Sequence, residues 1–122
     1  TPLSLAAEYG RVEAVKLLVG RDDVDVNAHD YYNKTPLHLA VYGQHEEAIR
    51  ALLSDSKVEV NAKGHDDQTP LHVAAIEGHL GCVKALLEDK RVEVSTGDGK
   101  GITPLSHAAK MGHKEIVQLF LD

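Results

Sequence analysis

Eight histidines are the side chains of this chain that could most readily bind a metal or carry a proton. Zinc sites combine Cys and His at short, regular spacings, and no such arrangement surrounds the single cysteine. His45, His79 and His113 instead recur every 34 residues, which favours a structural role near the start of a helix. The sequence therefore predicts no metal site and no cofactor.

Cys82 is the one candidate for a nucleophilic cysteine. Covalent catalysis needs a base, a group that orients the base and an oxyanion site, and only His79 is close in sequence. Cys82 shares its register position with small or apolar residues, including Ala48 and Ile116, so it is predicted to fill the core. We expect that the protein is not an enzyme.

A calcium loop is suggested by Asp98-Gly-Lys-Gly. Such a loop requires alternating oxygen ligands and a Glu at its twelfth position, and Ala109 stands there. The segment is therefore predicted to be a glycine-rich turn.

A strict repeat positions all of these residues. Thr-Pro-Leu begins at four positions, each 34 residues after the last: Thr1, Thr35, Thr69 and Thr103. Thr favours a helix N-cap and Pro favours the first helical position. A short apolar helix, a glycine, a second apolar helix and a polar turn then follow in each unit. We predict one all-α domain over residues 1–122, with units at 1–34, 35–68, 69–102 and 103–122, the last one truncated.

The segments TPLHLA at 35–40 and TPLHVAA at 69–75 resemble the ankyrin repeat. The Gly-His pairs at 78–79 and 112–113 and the Val-Asn-Ala segments at 26–28 and 60–62 are similar to the turns of that family. The resemblance implies a solenoid of stacked helix-turn-helix units with hairpin-like loops. Ankyrin units usually span about 33 residues. The 34-residue variant here resembles long fungal and other microbial arrays.

Several residues depart from the family pattern. Gln44 stands where the glycine between the helices is expected, and Asn33 and Asp67 stand at the loop glycine. Asn and Asp tolerate positive φ better than most residues, so these loops are predicted to keep their turn. His107 replaces an apolar residue and is expected to weaken the packing of the last unit or to expose it.

Asn27 and Asn61 occupy the position that is hydroxylated in some ankyrin proteins. We predict that their side chains bond nearby backbone within a turn.

Charge and composition restrict the partners. The net charge is −6 and no Lys/Arg cluster offsets it, which disfavours nucleic acid. No apolar run is long enough to cross a membrane, so no membrane contact is expected from this segment. A single cysteine fits a reducing compartment, and an intracellular, cytoplasmic location is expected.

The resemblance implies that another protein binds to the loop tips and to the concave face of the first helices. All four tyrosines fall at such positions, and tyrosine is enriched at interfaces. We therefore hypothesise a binding surface centred on the tyrosines of units one and two; the alternative is that they only cover apolar surface between units. A second alternative for the whole chain is an architectural spacer within a larger multidomain protein. The candidate protein-binding residues are Glu8, Tyr9, Tyr31, Tyr32, Lys34, Tyr42, His65, Asp66, Gln68, Ile76, Glu77, Lys110 and Met111.

The ends of the chain lack the polar outer face that solenoid ends usually carry. Ile116 and Leu119 in the last helix are apolar. We expect that the array is part of a longer chain or that a partner covers its ends. A last unit that tolerates some exposed leucine is the alternative.

Overall fold

Eight α-helices form four antiparallel pairs in the computed structural model, which describes all residues from 1 to 122. One short 3-10 turn at His65–Asp67 is the only other regular element, so the all-α prediction is confirmed. The helices are α1 Pro2–Glu8, α2 Val12–Val19, α3 Pro36–Tyr42, α4 Glu46–Leu53, α5 Pro70–Glu77, α6 Leu80–Leu87, α7 Pro104–Met111 and α8 Lys114–Leu121.

Each first helix begins at the predicted threonine cap. In all four units the threonine hydroxyl accepts the backbone N–H three residues later, at 3.0–3.3 Å. In α3 and α5 that third residue is a histidine, and its ring returns a bond to the threonine, at 2.8 Å for Thr35 and His38. The cap thus fixes the histidine as well as the helix.

Each first helix ends in a left-handed turn. Gly10, Gly78 and Gly112 adopt φ of 69°, 76° and 76°, and Gln44 adopts 61° at the same register position. Asn33 and Asp67 also have positive φ, at 62° and 55°, which confirms that these loops keep their turn without glycine.

The core is a seam of thin layers between successive helix pairs. First helices pack on first helices and second helices pack on second helices. Leu3, Leu37 and Leu71 occupy one register position and are each at most 1% exposed. No unit could bury this surface alone, so each interface between units contributes directly to stability.

The ends of the stack expose apolar side chains, but not all of the expected ones. Ile116 is only 2% exposed because α8 packs it against the preceding unit, so it does not lie on an outer face. The exposed apolar side chain of α8 is instead Leu121, which is 71% exposed. At the other end, Leu5 and Leu17 are 58% and 75% exposed, whereas Leu39, the equivalent of Leu5 in the next unit, is 7% exposed.

Histidines bond each second helix to the unit before it. His45, His79 and His113 precede α4, α6 and α8, and each ring lies 2.9–3.2 Å from a backbone carbonyl in the first helix of the preceding unit, which is α1, α3 or α5. The structural role predicted for these three residues is confirmed.

The prediction for Asn27 and Asn61 was wrong in one respect. Their side chains bond backbone in the next unit, and not within their own turn. Asn27 donates to the Lys57 carbonyl at 2.9 Å and accepts the N–H of Glu59 at 2.8 Å. Asn61 bonds Arg91 and Glu93 in the same way. Both amide side chains therefore join the loops of successive units.

Arg91 holds the C-terminal end of α4 from the next unit. Its guanidinium donates to the carbonyl of Leu53 at 2.7 Å and to three further carbonyls of residues 55–58 at 3.3–3.4 Å. Asp89 fixes the guanidinium with two bonds of 2.8 and 3.0 Å. The last carbonyls of a helix have no partner within the helix, and a cation is favourable there.

Replacing Arg91 with methionine is expected to lower the free energy of unfolding by about 1–2 kcal/mol, since the apolar stem remains but the charge-assisted bonds are lost. Urea denaturation measures the change. Lys57→Met at the same register position is the control; it should cost under about 0.5 kcal/mol, because the Lys57 side chain is half exposed and its ammonium has a single long contact, 4.0 Å, to Asp55. Equal costs at both positions would contradict the assignment.

Candidate binding surface

The loop before α3 is a closed, ordered turn that presents two tyrosines. One carboxylate oxygen of Asp30 accepts the backbone N–H groups of Tyr32 and Lys34 at 2.9 and 2.8 Å. The Asp30 N–H donates to the Lys34 carbonyl at 2.9 Å and closes the turn. Tyr31 and Tyr32 stand outside it, 95% and 70% exposed. These bonds hold the loop backbone that carries both tyrosines without the help of a partner.

A cleft of about 520 Å³ lies between this loop, the next loop and the end of α3. The rings of Tyr31 and Tyr32 meet edge to face, with centroids 5.4 Å apart. Across the cleft, the Lys34 ammonium nitrogen lies 4.2 Å from the centroid of the Tyr42 ring and 6.0 Å from that of Tyr32. We call this site the Tyr–Lys cleft; it is lined by Tyr31, Tyr32, Asn33, Lys34, Tyr42 and His65.

The polar groups of the Tyr–Lys cleft are unused by the fold. None of the three phenol hydroxyls forms a hydrogen bond within the chain, and Lys34 has no carboxylate within 4.0 Å. Partial burial raises the pKa of Tyr42, and the negative charge of Glu77 on the next unit raises it further. The phenol of Tyr42 is therefore neutral and keeps its proton for donation at physiological pH.

The structure brings together five of the residues singled out from the sequence and leaves the others outside the cleft. Tyr9 is 61% exposed but lines a separate depression with Leu5 and Arg11. Asn33 lines the cleft and was missed, although its place between Tyr32 and Lys34 could have indicated it. Outside the cleft, the exposed side chains are Glu8, Asp66, Glu77, Lys110 and Met111, and the half-buried ones are Gln68 and Ile76.

The family model described as ankyrin repeats in three copies matches residues 1–64 and 56–122, which together span the chain. This protein is an ankyrin repeat protein. No curated protein matches it at a significant level.

Cys82 of this ankyrin repeat chain is a core residue, as predicted. It is 1% exposed, and burial raises the pKa of its thiol to about 11, with the negative charge of Glu46 as a further cause. A thiol with that pKa is protonated at neutral pH, whereas the nucleophile in cysteine chemistry is the thiolate.

His107 in the last ankyrin unit is not exposed, which was one of the two outcomes expected from the sequence. Its Nε2 lies 2.7 Å from the buried carboxylate of Asp98, and its ring packs edge to face on His72 at 5.9 Å. Burial alone would raise the pKa of Asp98, but bonds from His107, Ile102 and Lys100 outweigh it and hold that pKa below its ordinary value. The His107 side chain therefore has a hydrogen-bond partner, Asp98, in the adjoining loop.

The same carboxylate accounts for the calcium-like segment. Asp98 accepts the N–H groups of Lys100 and Ile102 at 2.9 and 3.0 Å, so it shapes the glycine-rich turn that was predicted. No three His, Cys, Asp or Glu side chains gather closely enough to hold a metal ion. No helix of the ankyrin stack is long and apolar enough to span a membrane.

Proposed function

We propose that this ankyrin repeat chain is a recognition module that binds another protein through the Tyr–Lys cleft and the surfaces on either side of it. Ankyrin repeats generally serve as protein-protein interaction modules. The observation that carries the proposal is the gathering of Tyr31, Tyr32 and Tyr42 around an unpaired lysine on a preorganised loop.

The energetics of the cleft support binding. Removing exposed tyrosine rings from water lowers the free energy of the complex. A rigid ring also loses little conformational entropy on binding. Because Asp30 already holds the loop, little further ordering is needed on association. The flanking contacts in the proposal are Glu8, Asp66, Gln68, Ile76, Glu77, Lys110 and Met111, with Tyr9 on the outer edge.

We further propose a non-enzymatic role in an intracellular, cytoplasmic setting, with no nucleic acid partner. The buried, protonated thiol of Cys82 argues against covalent chemistry at the only cysteine. The net charge of −6 argues against a phosphate backbone as partner.

A photo-crosslinking experiment tests the surface. A benzoylphenylalanine placed at Tyr32 is expected to crosslink to the partner in the cell that makes the protein, whereas the same residue at Lys84, exposed on α6, is not. Crosslinks of equal strength from both positions, or from Lys84 alone, would count against the cleft as the binding surface. Crosslinks from neither position would favour the spacer role.

With the captured partner in hand, Tyr32→Ala combined with Tyr42→Ala is expected to weaken binding by about thirtyfold or more, since interface tyrosines are frequent anchors. Isothermal titration calorimetry measures the affinity, and circular dichroism confirms the fold. Tyr9→Ala is the matched control, because Tyr9 lies in a different depression. If Tyr9→Ala lowered the affinity as much as the double variant, the Tyr–Lys cleft would not be the centre of the binding surface.

A further inference from the structure

The six residues that line the Tyr–Lys cleft present hydrogen-bond donors and no carboxylate. The nearest carboxylate within the loop, that of Asp30, is directed to the backbone N–H groups of Tyr32 and Lys34. The phenol hydroxyls, the Asn33 amide and the Lys34 ammonium can all donate. The negative charge of Glu77 on the next unit also acts on Tyr42. An acceptor that carries negative charge is therefore expected at Lys34, the one cationic group of the cleft, and not at the Tyr42 hydroxyl.

Lys34 supplies that charge preference in a chain whose net charge is −6. Its ammonium forms no ion pair and is held in the cleft by its contact with the Tyr42 ring at 4.2 Å. A partner cation would meet like charge there, whereas a carboxylate would meet an unpaired cation that is already partly desolvated. The flat faces of Tyr31 and Tyr32 leave room for an apolar side chain beside the carboxylate.

The sign of the surface charge reverses one unit further along the stack. Asp66 and Asp67 stand exposed on the next loop, and Glu77 stands exposed at the end of α5. None of the three forms an ion pair within the chain. Asp66 directly follows His65, which lines the cleft. Packed helices lie about 8–10 Å apart and an extended peptide advances about 3.3 Å per residue, so we expect about three peptide residues between the two charged regions.

We propose that the Tyr–Lys cleft takes an extended peptide segment of the partner, with an Asp or Glu carboxylate on Lys34 and an apolar side chain beside it on the tyrosine rings. A basic side chain about three residues away faces Asp66 and Asp67. This inference rests on the proposed function and names the chemistry of the segment that is bound.

Selection from a random peptide display library tests it. The intact chain is expected to enrich peptides that combine an acidic, an apolar and a basic residue in this spacing. Lys34→Glu is expected to lose that enrichment and to select a basic residue in place of the acidic one. The fold should survive, because the loop uses the backbone of Lys34 and not its ammonium.

Fluorescence polarisation with one enriched peptide then measures the contact itself. Changing its acidic residue to the amide is expected to raise Kd about tenfold with the unaltered protein and to have little effect with Lys34→Gln. Lys100→Gln, which removes an exposed lysine from the loop before α7, is the matched control and should leave the tenfold difference intact.

Three outcomes would overturn the inference. Enriched peptides that need Tyr32 and Tyr42 but carry no acidic residue would do so and would leave the proposed function standing. Tight binding of a phosphoserine peptide but not of its Glu or Asp counterpart would replace the carboxylate with a phosphate. The absence of any enriched peptide would reject an extended segment as the occupant, while the crosslinking result would still decide the proposed function.

Discussion

Gly78→Ala is expected to lower the free energy of unfolding by about 2–3 kcal/mol. Gly78 has φ of 76°, where a Cβ costs about 1 kcal/mol or somewhat more. That Cβ would also lie 2.7–3.0 Å from the ring of His113, whose Nε2 bonds the Ile76 carbonyl at 3.0 Å. The ring must move, and the bond to the preceding unit is weakened or lost. Urea denaturation followed by circular dichroism measures the change.

Gly112→Ala provides a matched control within the same chain. Gly112 has the same φ of 76°, but its added Cβ would meet no atom within 4 Å. Its cost should be only the backbone part, about 1 kcal/mol. In a His113→Ala background, Gly78→Ala should fall to the cost of Gly112→Ala. An undiminished cost in that background would show that the histidine ring is not the obstacle.

Mild acid is expected to destabilise the protein through His38 and His72. Both side chains are at most 1% exposed, and burial lowers the pKa of both below the ordinary value of 6.5. Above pH 6.5 both are neutral whether the chain is folded or unfolded. Below it the unfolded chain takes up protons that the folded chain does not, so stability falls as pH falls towards the lowered pKa values. The free energy of unfolding is therefore expected to fall between pH 7 and pH 5, which urea denaturation at a series of pH values measures.

Units one and four supply the control for this pH dependence. They carry Ser4 and Ser106 in place of the histidine, and each serine hydroxyl still bonds the capping threonine, at 2.8 and 3.0 Å. The variant with His38→Ser and His72→Ser should therefore keep its caps. It should be less stable at pH 7, because the bonds from the histidine rings to the carbonyls of Gln68 and Ile102 are lost. Its free energy of unfolding should change little between pH 7 and pH 5. A steep loss in this variant over that interval would assign the acid sensitivity to other groups.

The fold was predictable because its determinants are local and recur. A threonine cap and the N–H that it accepts are three residues apart, so one unit contains the whole interaction. The turns at Asn33 and Asp67 were also predictable, since positive φ is a property of single residues. By contrast, the bonds of Asn27 and Asn61 were not predictable from local sequence, because their acceptors lie 30 residues away in the next unit.

The region of the candidate site was predictable from the sequence, but which of the tyrosines lie together in the cleft was not. Tyr42 is the last residue of α3, whereas Tyr9 follows the last residue of α1 and aligns with Gly43, one position later in the register. One residue is a rotation of about 100° on a helix, which is enough to direct the ring elsewhere. The partner of His107 was not predictable either. Asp98 is oriented by hydrogen bonds within its own loop, and the pattern of residue types does not specify those bonds.

The histidine and asparagine bonds between units bear on how such a chain can lengthen by duplication. His45, His79 and His113 reach back 37 or 38 residues, and Asn27 and Asn61 reach forward 30, in each case to backbone groups and not to a particular side chain. A gene that gains or loses one segment of 34 residues would therefore leave every surviving junction with an equivalent acceptor. The side chains that we propose to face a partner in the Tyr–Lys cleft, those of Tyr31, Tyr32 and Lys34, take no part in these junctions. They are free to diverge from copy to copy, so new recognition surfaces can arise without any change to the stack.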